Sequence, residues 1–64
     1  MIKELRIQRG YTQAQLAEKA GVNTRIIQKY ENNELPVQNM TVKNALALSK
    51  ALGVTVEELI KQEE

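Results

Sequence analysis

The sequence contains no cysteine and no histidine. Disulfides are therefore excluded as a source of stability, and the usual zinc ligand sets are missing. There is no apolar run long enough to span a bilayer, and none that resembles the hydrophobic segment of a secretory leader. A cytoplasmic setting is expected. Charge of one sign is not in excess either: nine basic side chains face eight acidic ones, a formal net charge of +1. Such a chain binds nucleic acid only if its charges are segregated in space. Their order along the sequence points that way, because Arg25 and Lys29 lie far from Glu57, Glu58, Glu63 and Glu64. No glycine-rich phosphate loop, nucleophile–base set or acidic cluster with metal spacing is present. Glu57 and Glu58 are adjacent, so they share no helix face and read as solvated surface. The expectation is a protein with no catalytic residue, no metal and no cofactor.

At 64 residues the chain reads as one domain over 1–64, near the lower size limit for a self-sufficient core. Without disulfide or metal, that core must come from tight helix packing, with a partner subunit as a further source.

What is present is a run of short helical patterns separated by glycine. Thr12 to Asn32 is the centre. Leu16, Ala17 and Ala20 share one helical face, Thr12 precedes them as an N-cap, and Gln15 stands three residues on as in a capping box. Gly21 stops this helix, and Asn23 can cap a second one. In that second helix Val22, Ile27 and Tyr30 point inward, while Thr24, Arg25, Gln28 and Lys29 point out. Ile26 suits either side. Two helices joined by a glycine turn, with an outward polar and basic face, form the pattern of a helix-turn-helix.

Around this pair, residues 2–9 form one amphipathic helix with Ile2, Leu5 and Arg6 inside, ending at Gly10. Tyr11 reads as half-buried packing, with a phosphate contact through its hydroxyl as the alternative. Asn33 can end the second helix of the pair in a left-handed conformation. Pro36 then enforces a loop that Leu35, Val37 and Met40 can anchor. Thr41 to Leu52 is the longest pattern, with Val42, Ala45, Leu46, Ser49 and Leu52 on one face and Leu48 beside them. Lys43, Asn44 and Lys50 face out. Gly53 stops it. Thr55 with Glu58 caps a last helix, where Lys61 suits the C-terminal dipole and Gln62 to Glu64 fray. The expected core is Leu5, Leu16, Ala17, Val22, Ile27, Tyr30, Leu48, Leu52 and Leu59.

Leu5, Arg6, Gly10, Thr12-Gln13, Leu16-Ala17, Gly21-Val22, Ile27, Tyr30-Glu31-Asn32 and Ala51-Leu52-Gly53-Val54 together carry a resemblance. It covers nearly the whole chain. The sequence resembles the phage repressor/Cro-type helix-turn-helix family of bacterial and phage DNA-binding proteins. The resemblance implies an all-α fold of five short helices and sequence-specific binding of double-stranded DNA by a transcriptional regulator, in the sense of a repressor. It implies that Thr24, Arg25, Gln28 and Lys29 read base edges in the major groove. Their chemistry suits this: Arg and Lys donate to guanine, Gln pairs with adenine, and a Thr methyl touches thymine. Gln13 matches a family phosphate contact; Asn23, Asn32 and Lys43 are further backbone candidates, with capping or plain solvation as their other roles. The family pairs the positions of Arg6 and Glu31, which implies a structural ion pair. Where relatives often carry glycine and a basic residue, this chain has Asn33 and Glu34, which weakens the case for a phosphate contact from that loop. A homodimer on DNA is implied, joined through Val54, Val56 and Ile60. No ligand-sensing domain is expected. Two other readings stand beside this one: a protein-interaction module of the same fold, such as an antitoxin-like partner, and a solvated helical bundle with no nucleic-acid role.

Overall fold

The computed structural model describes residues 2–61, and is all-helical there. The expectations for Gln62 to Glu64 and for the Lys61 side chain lie outside what is described. Five α-helices follow one another: α1 (Ile2–Gln8), α2 (Gln13–Ala20), α3 (Thr24–Glu31), α4 (Val42–Leu52) and α5 (Val56–Lys61). A single turn of 3-10 helix, Val37–Asn39, lies within the loop that Pro36 starts.

The helix ends are set by the residues that the sequence offered for them. Thr12 Oγ1 accepts from the Gln15 N–H at 3.1 Å, and the Thr12 N–H donates to Gln15 Oε1 at 2.8 Å. This reciprocal box satisfies two of the donors that a helix start leaves unpaired. Asn23 Oδ1 accepts from the Arg25 N–H at 2.8 Å, and Thr41 Oγ1 from the Asn44 N–H at 3.2 Å. Gly21 sits at φ 70°, and the Val22 N–H reaches back to the Ala17 carbonyl at 2.9 Å. That left-handed step turns the chain sharply between α2 and α3, and a Cβ there would be strained. After α3 the same step is taken by Asn33, at φ 60°, and the Glu34 N–H closes on the Lys29 carbonyl at 2.9 Å.

At α5 a second box pairs the Thr55 N–H with Glu58 Oε1 and the Glu58 N–H with Thr55 Oγ1. Hydrogen bonds from Thr55, first its backbone N–H and then its hydroxyl, hold the Glu58 carboxyl below its ordinary value of 4.5.

The core gathers residues from every helix. Ile2 and Leu5 of α1, Leu16 and Ala17 of α2, Ile27 and Tyr30 of α3, Leu48 and Leu52 of α4 and Leu59 of α5 pack together with Val37. α2 lies at the centre of the fold, packed against both α3 and α4, while α5 packs on α4 and on the 3-10 turn. Val37 is buried, and Leu35 and Met40 pack partly against the cluster, so all three loop anchors are used. Tyr11 also packs against the core, which is its packing role.

Two expectations need correction. Val22 is half-buried against the core and not within it. The inward face of α4 is also rotated. Ala45, Leu48, Ser49 and Leu52 are buried, whereas Val42 is 76% exposed and Leu46 48% exposed. At about 100° per residue, Leu46 lies a quarter-turn or more away from the line through Leu48 and Leu52. Ser49 tolerates its buried place because its hydroxyl donates to the Leu46 carbonyl at 3.0 Å.

One tie was not anticipated. Arg9 follows α1, and its Nε donates to the Leu52 carbonyl at 2.7 Å, 43 residues away. Its guanidinium lies 3.6 Å from where a Cβ on Gly53 would stand. A cation here satisfies a carbonyl at the end of α4 and meets the negative end of that helix.

Leu52 is fully buried, so Leu52→Ala is expected to cost roughly 2–5 kcal/mol, from lost transfer energy and the cavity left behind. Urea denaturation followed by circular dichroism measures it, and an unchanged midpoint would remove Leu52 from the core. A second expectation concerns acid. The folded state binds the Glu58 proton more weakly than the unfolded chain, so the stability that this box adds is present above the ordinary carboxylate value and is lost as pH falls through the depressed one. Wild type and Glu58→Gln, compared between about pH 6 and pH 3, should therefore converge in stability on acidification. A gap that stays constant with pH would show that the carboxylate is not its source.

Candidate nucleic-acid interface

The outward side of α3 follows from its inward side. Ile27 and Tyr30 are buried, and Ile26 is half-buried, packed partly against the core. With those residues fixed, Thr24, Arg25, Gln28 and Lys29 fall on the opposite arc, about 140° wide at the helical period. Arg25 and Gln28 are exposed, and Thr24 and Lys29 are half-buried. Arg25 and Lys29 stand at i and i+4, so their cationic ends can reach one surface together. Asn23 caps the start of this helix through its side chain. Asn32 ends it, with its N–H donated to the Gln28 carbonyl at 2.9 Å and its side chain exposed. Lys43 is exposed on the first turn of α4.

Gln13, Arg6 and Glu31 are brought together into one cluster. Arg6 Nε donates to Glu31 Oε2 at 2.8 Å, and Arg6 Nη2 to Glu31 Oε1 at 3.2 Å. The pair is a two-toothed fork joining α1 to the last residue of α3, the strongest geometry for such a contact. The Glu31 side chain is only 3% exposed and that of Arg6 12%. Gln13, the first residue of α2, donates its Nε2 to Glu31 Oε1 at 3.0 Å. Arg6 also donates Nη1 to the Tyr11 carbonyl at 2.8 Å, just before α2 begins. Gln13 does not cap α2: its amide bonds to Glu31, and the cap belongs to Thr12. Sequence reasoning missed this bond because its partners are 18 residues apart and neither residue type implies the other.

Val54, Val56 and Ile60 are each half-buried, so part of each remains open to a partner surface. Among the described residues, no group of three or more His, Cys, Asp or Glu side chains is placed to hold a metal ion, and no helix is long and apolar enough to cross a membrane.

A family model described as helix-turn-helix matches residues 2–59, which takes in α1 to α4 and most of α5. No curated protein and no solved structure matches the chain.

The buried fork gives a double-mutant expectation. Removing one partner strands the other charge, so Arg6→Met should cost about 3 kcal/mol or more. The Arg6→Met, Glu31→Leu double mutant removes both charges and should be more stable than Arg6→Met alone. Losses that simply add in this cycle would mean that the two charges do not depend on each other.

Proposed function

The chain belongs to the phage repressor/Cro-type helix-turn-helix family and is a DNA-binding protein of the transcription-regulator type; from that premise we propose that it is a repressor that reads the major groove of double-stranded DNA with α3. The observation that carries the proposal is the division of α3. One side is committed to the core by Ile27 and Tyr30, and the other presents Thr24, Arg25, Gln28 and Lys29 outward. The outward set combines two cations, one amide and one hydroxyl-methyl group, which matches the donor and acceptor pattern of base edges.

Arg25 has the leading role. Its planar fork can donate to both acceptors of one guanine, a geometry that lysine does not copy. Gln28 suits adenine, Lys29 a guanine or a phosphate, and the Thr24 methyl a thymine. Gln13 anchors a phosphate through its amide, and Asn23, Asn32 and Lys43 add backbone contacts around the reading helix. Two copies bind one site as a homodimer, because α3 alone reads too few base pairs to single out an operator. The half-sites then lie about 34 Å apart, one turn of the duplex. Val54, Val56 and Ile60 form the contact between the copies.

Sites selected from random duplex DNA supply the cognate sequence for the test. Arg25→Ala should cost roughly 1–3 kcal/mol on that duplex and relax preference at about one base pair. If it weakens every duplex equally, Arg25 holds a phosphate and reads no base. Inserting about 5 base pairs between the half-sites puts them on opposite faces of the duplex and should abolish tight binding. A lone half-site that binds as tightly as the full site would rule out the dimer.

A further inference from the structure

Glu31 bonds to side chains from two other helices. Its two oxygens accept three bonds, two from Arg6 and one from Gln13. Arg6 alone would account for a buried ion pair. The third bond does something else: it reaches from the end of α3 to the first residue of α2 and fixes an amide at the rim of the fold. We infer that Glu31 is a positioning residue for the DNA-backbone contact proposed above for Gln13. The inference rests on that reading and adds how the contact is prepared.

A glutamine side chain has three rotatable bonds and loses much rotamer freedom when it is pinned by a ligand. Here the loss is taken on folding, since Glu31 Oε1 holds Nε2 at 3.0 Å. The amide keeps a second N–H for a phosphate oxygen. A carboxylate this close to the DNA backbone would repel it if left bare. Arg6 prevents that by neutralising Glu31 through the fork. The arrangement also joins the two classes of contact. Glu31 closes the helix that carries Arg25 and Gln28, and Gln13 opens the helix before it. One carboxylate therefore sets the phosphate anchor at a fixed place relative to the base-reading helix.

The test is a cycle of DNA affinities at fixed salt. Gln13→Ala is made in the wild-type background and in the Arg6→Met, Glu31→Leu background, which removes the positioning carboxylate without leaving a stranded charge. In the wild type, Gln13→Ala should weaken cognate and non-cognate duplexes alike, by roughly tenfold, the scale of one hydrogen bond to a charged group. Its salt dependence should stay unchanged, since glutamine releases no counterion. In the second background the same substitution should cost less than about threefold, because an unpinned amide recovers little of that bond. An equal cost in both backgrounds overturns the positioning role while leaving the phosphate contact standing. No cost in the wild type overturns the phosphate contact itself, and the inference with it.

A second measurement needs no variant. In the wild-type protein, 15N relaxation of side-chain amides should show Gln13 ordered like the backbone, with the exposed Gln28 amide as the mobile reference. A Gln13 amide as mobile as that of Gln28 refutes the positioning role, whatever the variants do.

Discussion

The geometry of this fold depends on one buried carboxylate. Glu31 is nearly sealed from solvent, and an ionised group in that position is tolerated only if its oxygens are paired. The pairing needs Arg6 from α1 and Gln13 from α2, so the requirement is met only when α1, α2 and the end of α3 stand in one arrangement. The apolar cluster supplies most of the driving force for collapse, but aliphatic side chains pack in many similar ways. A directional contact with three donors is less forgiving, and it lies between the helix-turn-helix pair and the rest of the chain.

With so few residues, the molecule has no surplus core to absorb poorly made helix ends. Each helix has two or three turns, too short to be stable in water alone. Thr12, Asn23, Thr41 and Thr55 each close a helix start with a side-chain oxygen. Gly21, Asn33 and Gly53 reverse the chain in the left-handed conformation. The Arg9 tie to Leu52 works at longer range. It holds the end of α1 against the end of α4, the corner from which α5 departs. Both arginines of the α1 region thus serve the framework, and the cations left for an outer surface include Arg25, Lys29 and Lys43.

Division of labour along α3 follows from the same economy. Eight residues must supply a buried face, a capped start and a polar face. Ile27 and Tyr30 take the first role, with Ile26 packed partly beside them, and Arg25 and Gln28 stand exposed on the other side. None of Arg25, Gln28 or Lys29 belongs to the buried cluster.

Local rules made much of this legible before any coordinates. Caps and glycine stops act within three or four residues, so Thr12 with Gln15, Asn23, Gly21, Gly53 and Thr55 with Glu58 could be read directly, as could the helices between them. The Arg6–Glu31 pair is legible only from the resemblance joined to the inward position of Arg6. α4 shows where pattern reading loses its grip. It carries apolar residues on more than one side, so periodicity alone did not separate the Leu48 side from the Val42 and Leu46 side, and only packing against α2 and α5 chose between them. By itself the sequence determined the helices, their ends, the family and most of the core, since each depends on neighbours along the chain or on a pattern spread over it. Only the tertiary structure decided the face of α4, the tie from Arg9 to Leu52 and the bond from Gln13 to Glu31. Those depend on which distant backbone group comes within hydrogen-bond reach once the helices have packed, and nothing local to either partner encodes that.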